Sequence, residues 1–176
     1  MDNPAALKLI ERRYANVHGA APNLGFPAWC FQGRNGIVGA ALGFQRAHHG
    51  RLFLEAYLDA PIEAYLSPLF GTAVDRKDIV EIGSMAADTA QAMIALWTRA
   101  ANDLSSEADI AVAVLTAPLR SMFRRLGLIL HELAPARADR LGSAASQWGS
   151  YYDLDPIVCA GRIMEGQARL ARRRPA

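Results

Sequence analysis

Apolar residues in the first twenty positions recur at three-then-four spacing, Leu7, Ile10, Tyr14 and Val17, with Glu11, Arg12 and Arg13 on the other side. That period belongs to a helix with one buried face and predicts a helix over about residues 4–18. After a loop at 19–27, the segments 28–32 and 37–45 flank Gly33-Arg34-Asn35-Gly36. An Asn-Gly pair accepts the positive φ angles of a tight turn, so these segments read as a hairpin. Residues 52–57 are a further apolar run and predict a third strand. Pro61 suits the first turn of a short helix over 62–70.

The rhythm then changes. Ile79-Val80-Glu81-Ile82 is a β-branched run that predicts a strand. Asp88, with Gln91 three residues later, forms a capping-box-like start to a helix carrying Ala90, Ile94, Trp97, Ala101 and Leu104 on one face. Residues 110–115 lack charge and fit a strand covered on both faces. Thr116 reads as an N-cap and Pro118 falls in the first turn; Leu119, Met122, Phe123 and Leu126 form the buried stripe, and Gly127 is the stop. Short strands are expected at 128–130 and 157–160. The order helix, antiparallel strands, then β-α-β-α-β predicts an α/β (α+β) fold: a central mixed, mostly antiparallel sheet with helices on both faces. No repeat, low-complexity tract or linker interrupts it. Residues 1–165 therefore read as one domain and 166–176 as a basic C-terminal tail.

Composition agrees with a folded chain. At 176 residues, 52% hydrophobic and 20% charged, it needs no disulfide or metal staple to fold. The longest uncharged run, Tyr14 to Gly33, is broken by His18, Pro22, Asn23, Pro27 and Gln32, so no transmembrane segment is expected. The opening Met-Asp-Asn-Pro lacks the succession of a signal peptide, and a cytoplasmic protein is expected. Cys30 and Cys159 then read as reduced, apolar strand residues. No CxxC or Cys/His ligand spacing occurs and His48-His49 lacks a partner at i, i+4, so no metal is expected. Net charge is +2, and no nucleic-acid partner is expected. Charge is uneven, however, since Arg162 to Arg174 hold five arginines and one acid. That segment is a solvated tail or an arm for an acidic partner or anionic surface. Arginine outnumbers lysine 17 to 2, a bias that weakens any inference from an arginine count alone.

No Gly-x-Ser-x-Gly elbow, Walker loop or Gly-x-Gly-x-x-Gly fingerprint follows any strand, which removes the nucleophile-elbow hydrolases and the common nucleotide binders. Two carboxylates remain, because Glu55 and Glu81 each interrupt an apolar run. A carboxylate inside a sheet is costly unless paired or hydrogen-bonded, and burial raises its pKa toward the range of a general base. The alternative is a solvent-facing residue or a partner of an arginine. Arg120, Arg124 and Arg125 follow the Thr116 cap, and Arg120 and Arg124, four apart on one face, suit phosphate or carboxylate as well as solvent. Trp148, Tyr151 and Tyr152 line an acyl or aromatic cavity or pack in the core. His18, His48, His49 and His131 read as surface or satisfied core residues.

Several stretches together resemble one family: Leu52-Phe-Leu-Glu-Ala-Tyr-Leu-Asp-Ala-Pro-Ile-Glu63, Ile79-Val-Glu-Ile-Gly-Ser-Met-Ala86, Arg124-Arg-Leu-Gly-Leu128, Trp148-Gly-Ser-Tyr-Tyr152 and Pro156-Ile-Val-Cys-Ala-Gly161. They are similar to the thermostable hemolysin family over residues 5 to 163. That resemblance implies a GNAT-like acyltransferase fold, in the style of acyl-homoserine-lactone synthases and N-acyl amino acid synthases. Ordinary GNAT enzymes follow the strand equivalent to 79–82 with a glycine-rich turn that binds the coenzyme A pyrophosphate. Here Gly83-Ser84-Met85-Ala86-Ala87-Asp88 has one glycine and an acid. Lactone synthases also lack the glycine-rich turn and take acyl chains from acyl carrier protein, an acidic partner that an arginine patch would suit.

The expectation is therefore an acyltransferase with no tightly bound cofactor, using acyl-ACP or acyl-CoA as co-substrate to acylate a small amine or hydroxyl acceptor. Glu81 or Glu55 would be the base. Backbone N–H groups near Gly83, Ser84 and Met85 would polarise the carbonyl, and Arg120, Arg124, Arg125, Trp148, Tyr151 and Tyr152 would bind donor or substrate. A membrane-active hemolysin and a non-catalytic GNAT-like binding module are the competing readings.

Overall fold

A computed structural model describes residues 4–21 and 25–172. Helix α1 spans Pro4–His18, strands β1 and β2 span Ala28–Arg34 and Ile37–Arg46, and helix α2 spans Ile62–Phe70. They are followed by β3 (Ile79–Ala87), α3 (Ala90–Leu104), β4 (Ile110–Leu115), α4 (Ala117–Arg125), β5 (His131–Pro135), β6 (Ile157–Arg162) and α5 (Ile163–Ala171). The six strands form one sheet in the order β1-β2-β3-β4-β6-β5. β3 and β4 pair in parallel and their neighbours pair antiparallel. The fold is the expected mixed, mostly antiparallel sheet with helices on both faces.

Alternation along the strands sorts the core. Ala40, Leu42 and Val80 face α3, with Trp97, Leu104, Ile163 and Leu170. Their neighbours point the other way: Ala41 meets Leu9, Ile10 and Tyr14 of α1, and Ile79 meets Ile62 and Leu66 of α2. Side chains on successive strand positions point to opposite faces, so Glu81 shares its face with Ile79, the face that carries α1 and α2.

Several local expectations are corrected. Residues 52–57 do not form a strand, because carboxylates take their backbone donors. Glu55 Oε2 accepts from Leu52 N at 2.9 Å, and Glu81 accepts from Phe53 N and Leu54 N at 2.7 and 2.9 Å. With its N–H groups satisfied by side chains rather than by a neighbouring strand, Phe53–Tyr57 curls into a 3-10 helix. Thr89, not Asp88, caps α3, its hydroxyl accepting from Ala92 N, while Asp88 pairs with Arg12. The buried face of α3 is Met93, Leu96, Trp97, Ala100 and Leu104, rotated from the expected stripe so that Ala90 is exposed. In α1, Val17 is 50% exposed and Ala6 and Leu9 are buried in its place beside Ile10 and Tyr14. Thr116 holds the N-cap position of α4 without a side-chain cap bond.

The expected strand at 128–130 is also displaced. Leu128 is buried beneath α3, and pairing with β6 begins only at His131. β3 runs five residues beyond the predicted end at Ile82. Residues 166–171, read from sequence as part of the tail, belong to α5, which packs Ile163 and Leu170 into the core. Arg173 and Arg174 lie outside the described residues. Cys30 and Cys159 are buried free thiols in β1 and β6.

Candidate active site

The parallel pairing of β3 with β4 runs from Ile79–Ile110 to Ile82–Ala113 and then stops, although both strands continue. β3 goes on along β2 with an irregularity: Gly83 faces Gly43 and Ala86 faces Ala41, so β3 carries one extra residue there. Such a bulge bends its strand away from the regular ladder. Ser84 sits in it at φ 48°, an uncommon angle for a residue with a Cβ. β4 meanwhile stays with β6 through Leu115. The two strands therefore part, and a cavity of about 560 Å³ occupies the opening.

The cavity is lined from both faces of the sheet. On the α1 face stand Arg13, Tyr14, His18, Phe53, Tyr57, Glu81, Trp148 and Tyr151; on the α3 and α4 face stand Met85, Met93, Leu119 and Met122. The tip of the Phe26 ring lies directly against Gly83, where a Cβ would overlap it and displace the ring. A run of short 3-10 turns over Ala138–Leu154, broken at Gly142 and Gly149, brings up the aromatic wall. Trp148 packs 5.1 Å from Tyr151 and 5.8 Å from Phe53, ring centre to ring centre.

The floor of the opening is Glu81, 2% exposed. Each of its oxygens accepts one backbone N–H, from Phe53 or Leu54. Burial pushes the Glu81 carboxyl up to about 7; the two N–H bonds pull against it and the nearby Glu55 charge adds to it. A neutral-pH carboxyl lining a cavity beside unpaired strand backbone is what proton abstraction requires.

The other expected residues fall into three groups. Gly83, Ser84, Met85, Trp148 and Tyr151 line the cavity with Glu81. Tyr152 stands behind it, its hydroxyl 2.7 Å from that of Tyr57, which does line it. Glu55 lies beneath the 3-10 turn, where its carboxylate meets Arg76 at 2.7 Å and accepts from Ile62 N and Leu52 N. Burial works to raise its pKa, but Arg76 and the two N–H groups outweigh burial and hold the carboxyl below its ordinary value. Arg120 is buried, donates to Leu115 O and Asp155 Oδ2 at 2.7 and 2.6 Å, and ties α4 to the end of β4 and to the turn that leads into β6. Arg124 is exposed and paired with Glu132, and Arg125 is exposed beside it.

Sequence reasoning passed over Arg13, Tyr14, Phe53 and Tyr57, which line the cavity. Arg13 looked like the polar face of α1 and Tyr57 like a strand residue. His18, expected on the surface or satisfied in the core, is neither: its Nδ1 is buried without a hydrogen-bond partner among the described residues, and burial lowers its pKa. Among those residues no cluster of three or more His, Cys, Asp or Glu side chains suits a metal ion.

An open sheet parted at its one parallel pair, with a bulged strand beside the gap, places this molecule in the GNAT-like class of folds. The AHL synthase LasI is similar, with a TM-score of 0.62 at 13% identity over 96% of this chain and 89% of that one. FeeM, an N-acyl amino acid synthase from uncultured soil microbes, gives 0.60 at 15% identity over 94% and 92%. BjaI, a CoA-dependent acyl-homoserine lactone synthase determined with SAM and isopentyl-CoA, gives 0.57 at 11% identity over 96% and 77%. The likeness is one of fold. The chain belongs to the thermostable hemolysin family, whose sequence model matches residues 2–167. No curated protein sequence matches it.

Proposed function

We propose that this protein is an acyltransferase that moves a fatty acyl group from an acyl-carrier-protein or acyl-CoA thioester to a small amine or hydroxyl acceptor. The observation that carries this reading is the buried Glu81 carboxyl, raised to about 7, in the cavity where β3 and β4 part. The synthase names of the structures that share the fold agree with it.

The acceptor nitrogen or oxygen attacks the thioester carbonyl carbon while Glu81 takes its proton, which one free lone pair on either carboxylate oxygen can receive. The carbon–sulfur bond breaks, and the proton passes from Glu81 to the departing thiolate, so the base is restored. Backbone N–H groups of the bulged stretch at Gly83 to Met85, unpaired with β4, polarise the carbonyl oxygen as negative charge builds on it. Met85, Met93, Leu119 and Met122 offer the acyl chain an apolar wall. Arg124 and Arg125, exposed on α4, are the surface that an acidic carrier protein would meet.

Mass spectrometry of the wild type incubated with decanoyl-CoA or decanoyl-carrier protein and a mixture of primary amines and amino acids tests this. An acyl-amide product that Glu81→Gln fails to make is the expected result; no product from either donor, or equal product from the variant, defeats the reading.

A further inference from the structure

Apart from three tyrosines, four ionisable side chains line the cavity: Arg13, His18, Glu81 and Asp88. Asp88 is paired with Arg12 at 2.7 Å, and burial lowers the pKa of His18, which disfavours its charged form. Arg13 differs from both. It is half-buried on α1 beside the buried Tyr14, lines the cavity, and makes no hydrogen bond or ion pair among the described residues. A guanidinium is always charged and carries five donors in a planar fork that matches a carboxylate. Partial burial beside the aromatic wall weakens its hydration, and with no protein group taking its donors the fork is available to an anion entering the cavity.

Its position decides what that anion belongs to. Arg13 lies on the α1 face with Glu81, Tyr14 and Trp148, whereas the apolar wall suited to an acyl chain lies on the opposite, α3 and α4 face. The molecule whose nucleophile loses its proton to Glu81 approaches on the Glu81 side. We infer that Arg13 anchors a carboxylate on the acceptor, which makes the acceptor an amino acid or a similar amino-carboxylate rather than a simple amine or alcohol. The inference rests on the acyl-transfer reading above. Arg13 is a specificity-determining residue: it fixes the acceptor by its anionic end and leaves the amine free to reach Glu81.

Product-like probes test it without turnover. N-decanoyl-L-phenylalanine and N-decanoylphenethylamine differ by the carboxylate alone, and titration calorimetry gives the affinity of each for the wild type, Arg13→Gln and Arg13→Lys. The wild type should prefer the carboxylate probe by about tenfold or more, the scale of a charge-assisted hydrogen bond. Arg13→Gln should abolish that preference and Arg13→Lys should keep part of it. Equal binding of the two probes to the wild type, or a preference that survives Arg13→Gln, overturns the inference while leaving acyl transfer standing. Failure of both probes to bind the wild type removes the acyl-transfer reading and the inference together. Coenzyme A and pantetheine form the control arm: should Arg13→Gln weaken coenzyme A alone and leave the preference between the decanoyl probes intact, the anion is the donor's phosphate and the acceptor assignment is wrong.

Discussion

Glu55 and Glu81 are separated by their partners rather than by their depth. Glu55 meets a guanidinium and two backbone N–H groups, so folding favours its charged form. Glu81 meets two N–H groups and no cation, and burial wins. The two therefore fail differently when neutralised. Glu55→Gln leaves Arg76 facing an amide in a partly buried site, and breaking such a pair costs about 3 kcal/mol; a clear fall in melting temperature is expected, and a variant as stable as the wild type would show that the Arg76 contact is incidental. Gly149 is a second residue whose role is visible only in three dimensions. At φ 52° its missing Cβ would lie 1.9 Å from His18 O, where the aromatic segment crosses the end of α1. Gly149→Ala should cost on the order of 3 kcal/mol by strain and overlap together, measured by denaturant unfolding; a loss under 1 kcal/mol would mean that the crossing opens without consequence.

At the scale of elements, the helix order and the hairpin were legible because period and turn chemistry are local. The Asn35-Gly36 turn, α1, α2, α3, α4 and the two core strands β3 and β4 sit where apolar spacing places them. What sequence could not supply was long-range capture of backbone donors. Phe53–Tyr57 has the composition of a strand, and it coils because Glu81, 27 and 28 residues away, takes the N–H groups of Leu54 and Phe53. Burial registers slipped by a residue in α1 and α3 for a related reason: many positions are alanine, and an alanine stripe does not say which side faces the sheet. Glu81 was legible as an oddity, a charge inside a β-branched run, but the parting of β3 from β4 that opens a cavity beside it was not. The arginines of α4 were legible as a group and not as individuals. Arg120 is a buried tie to Asp155, whereas Arg124 is exposed on the rim. Charges at a rim act mainly on encounter, so Arg124→Glu should raise the apparent KM for a carrier-protein donor several-fold, leave kcat near the wild-type value, and matter less for acyl-CoA. An unchanged KM at low salt would remove α4 from the donor surface.

For the whole molecule, the family's name and the shape of the fold point in different directions. Among the described residues no helix is long and apolar enough to cross a membrane, and the large apolar side chains that stay exposed, such as Ile37, Ile129 and Met164, are scattered over β2, the stretch before β5 and α5. Single exposed apolar residues are ordinary on a protein surface. Dye-loaded vesicles of mixed neutral and anionic lipid should therefore keep their contents at micromolar protein, and rapid release from detergent-free preparations would contradict this. What the molecule does build is an opening through its sheet, reached by aromatic and cationic groups on one side and apolar groups on the other, with one neutral-pH carboxyl between them.

That carboxyl is the most direct point of attack. As a base Glu81 works only when ionised, and its pKa, raised to about 7 by burial, places the change inside the measurable range. The pH profile of kcat/KM for acyl transfer from decanoyl-CoA, with the amide product quantified, should rise about a hundredfold per pH unit below about 7, where both Glu81 and the acceptor amine must lose a proton, and bend there to about tenfold per unit. The acceptor amine titrates at about 8 or above and leaves its own, separate inflection. Glu81→Gln should lose about 10²–10⁴-fold in rate and keep only the upper inflection. A profile whose lower bend persists in Glu81→Gln, or a variant with wild-type kcat/KM at pH 8, would contradict the assignment of Glu81 as the base.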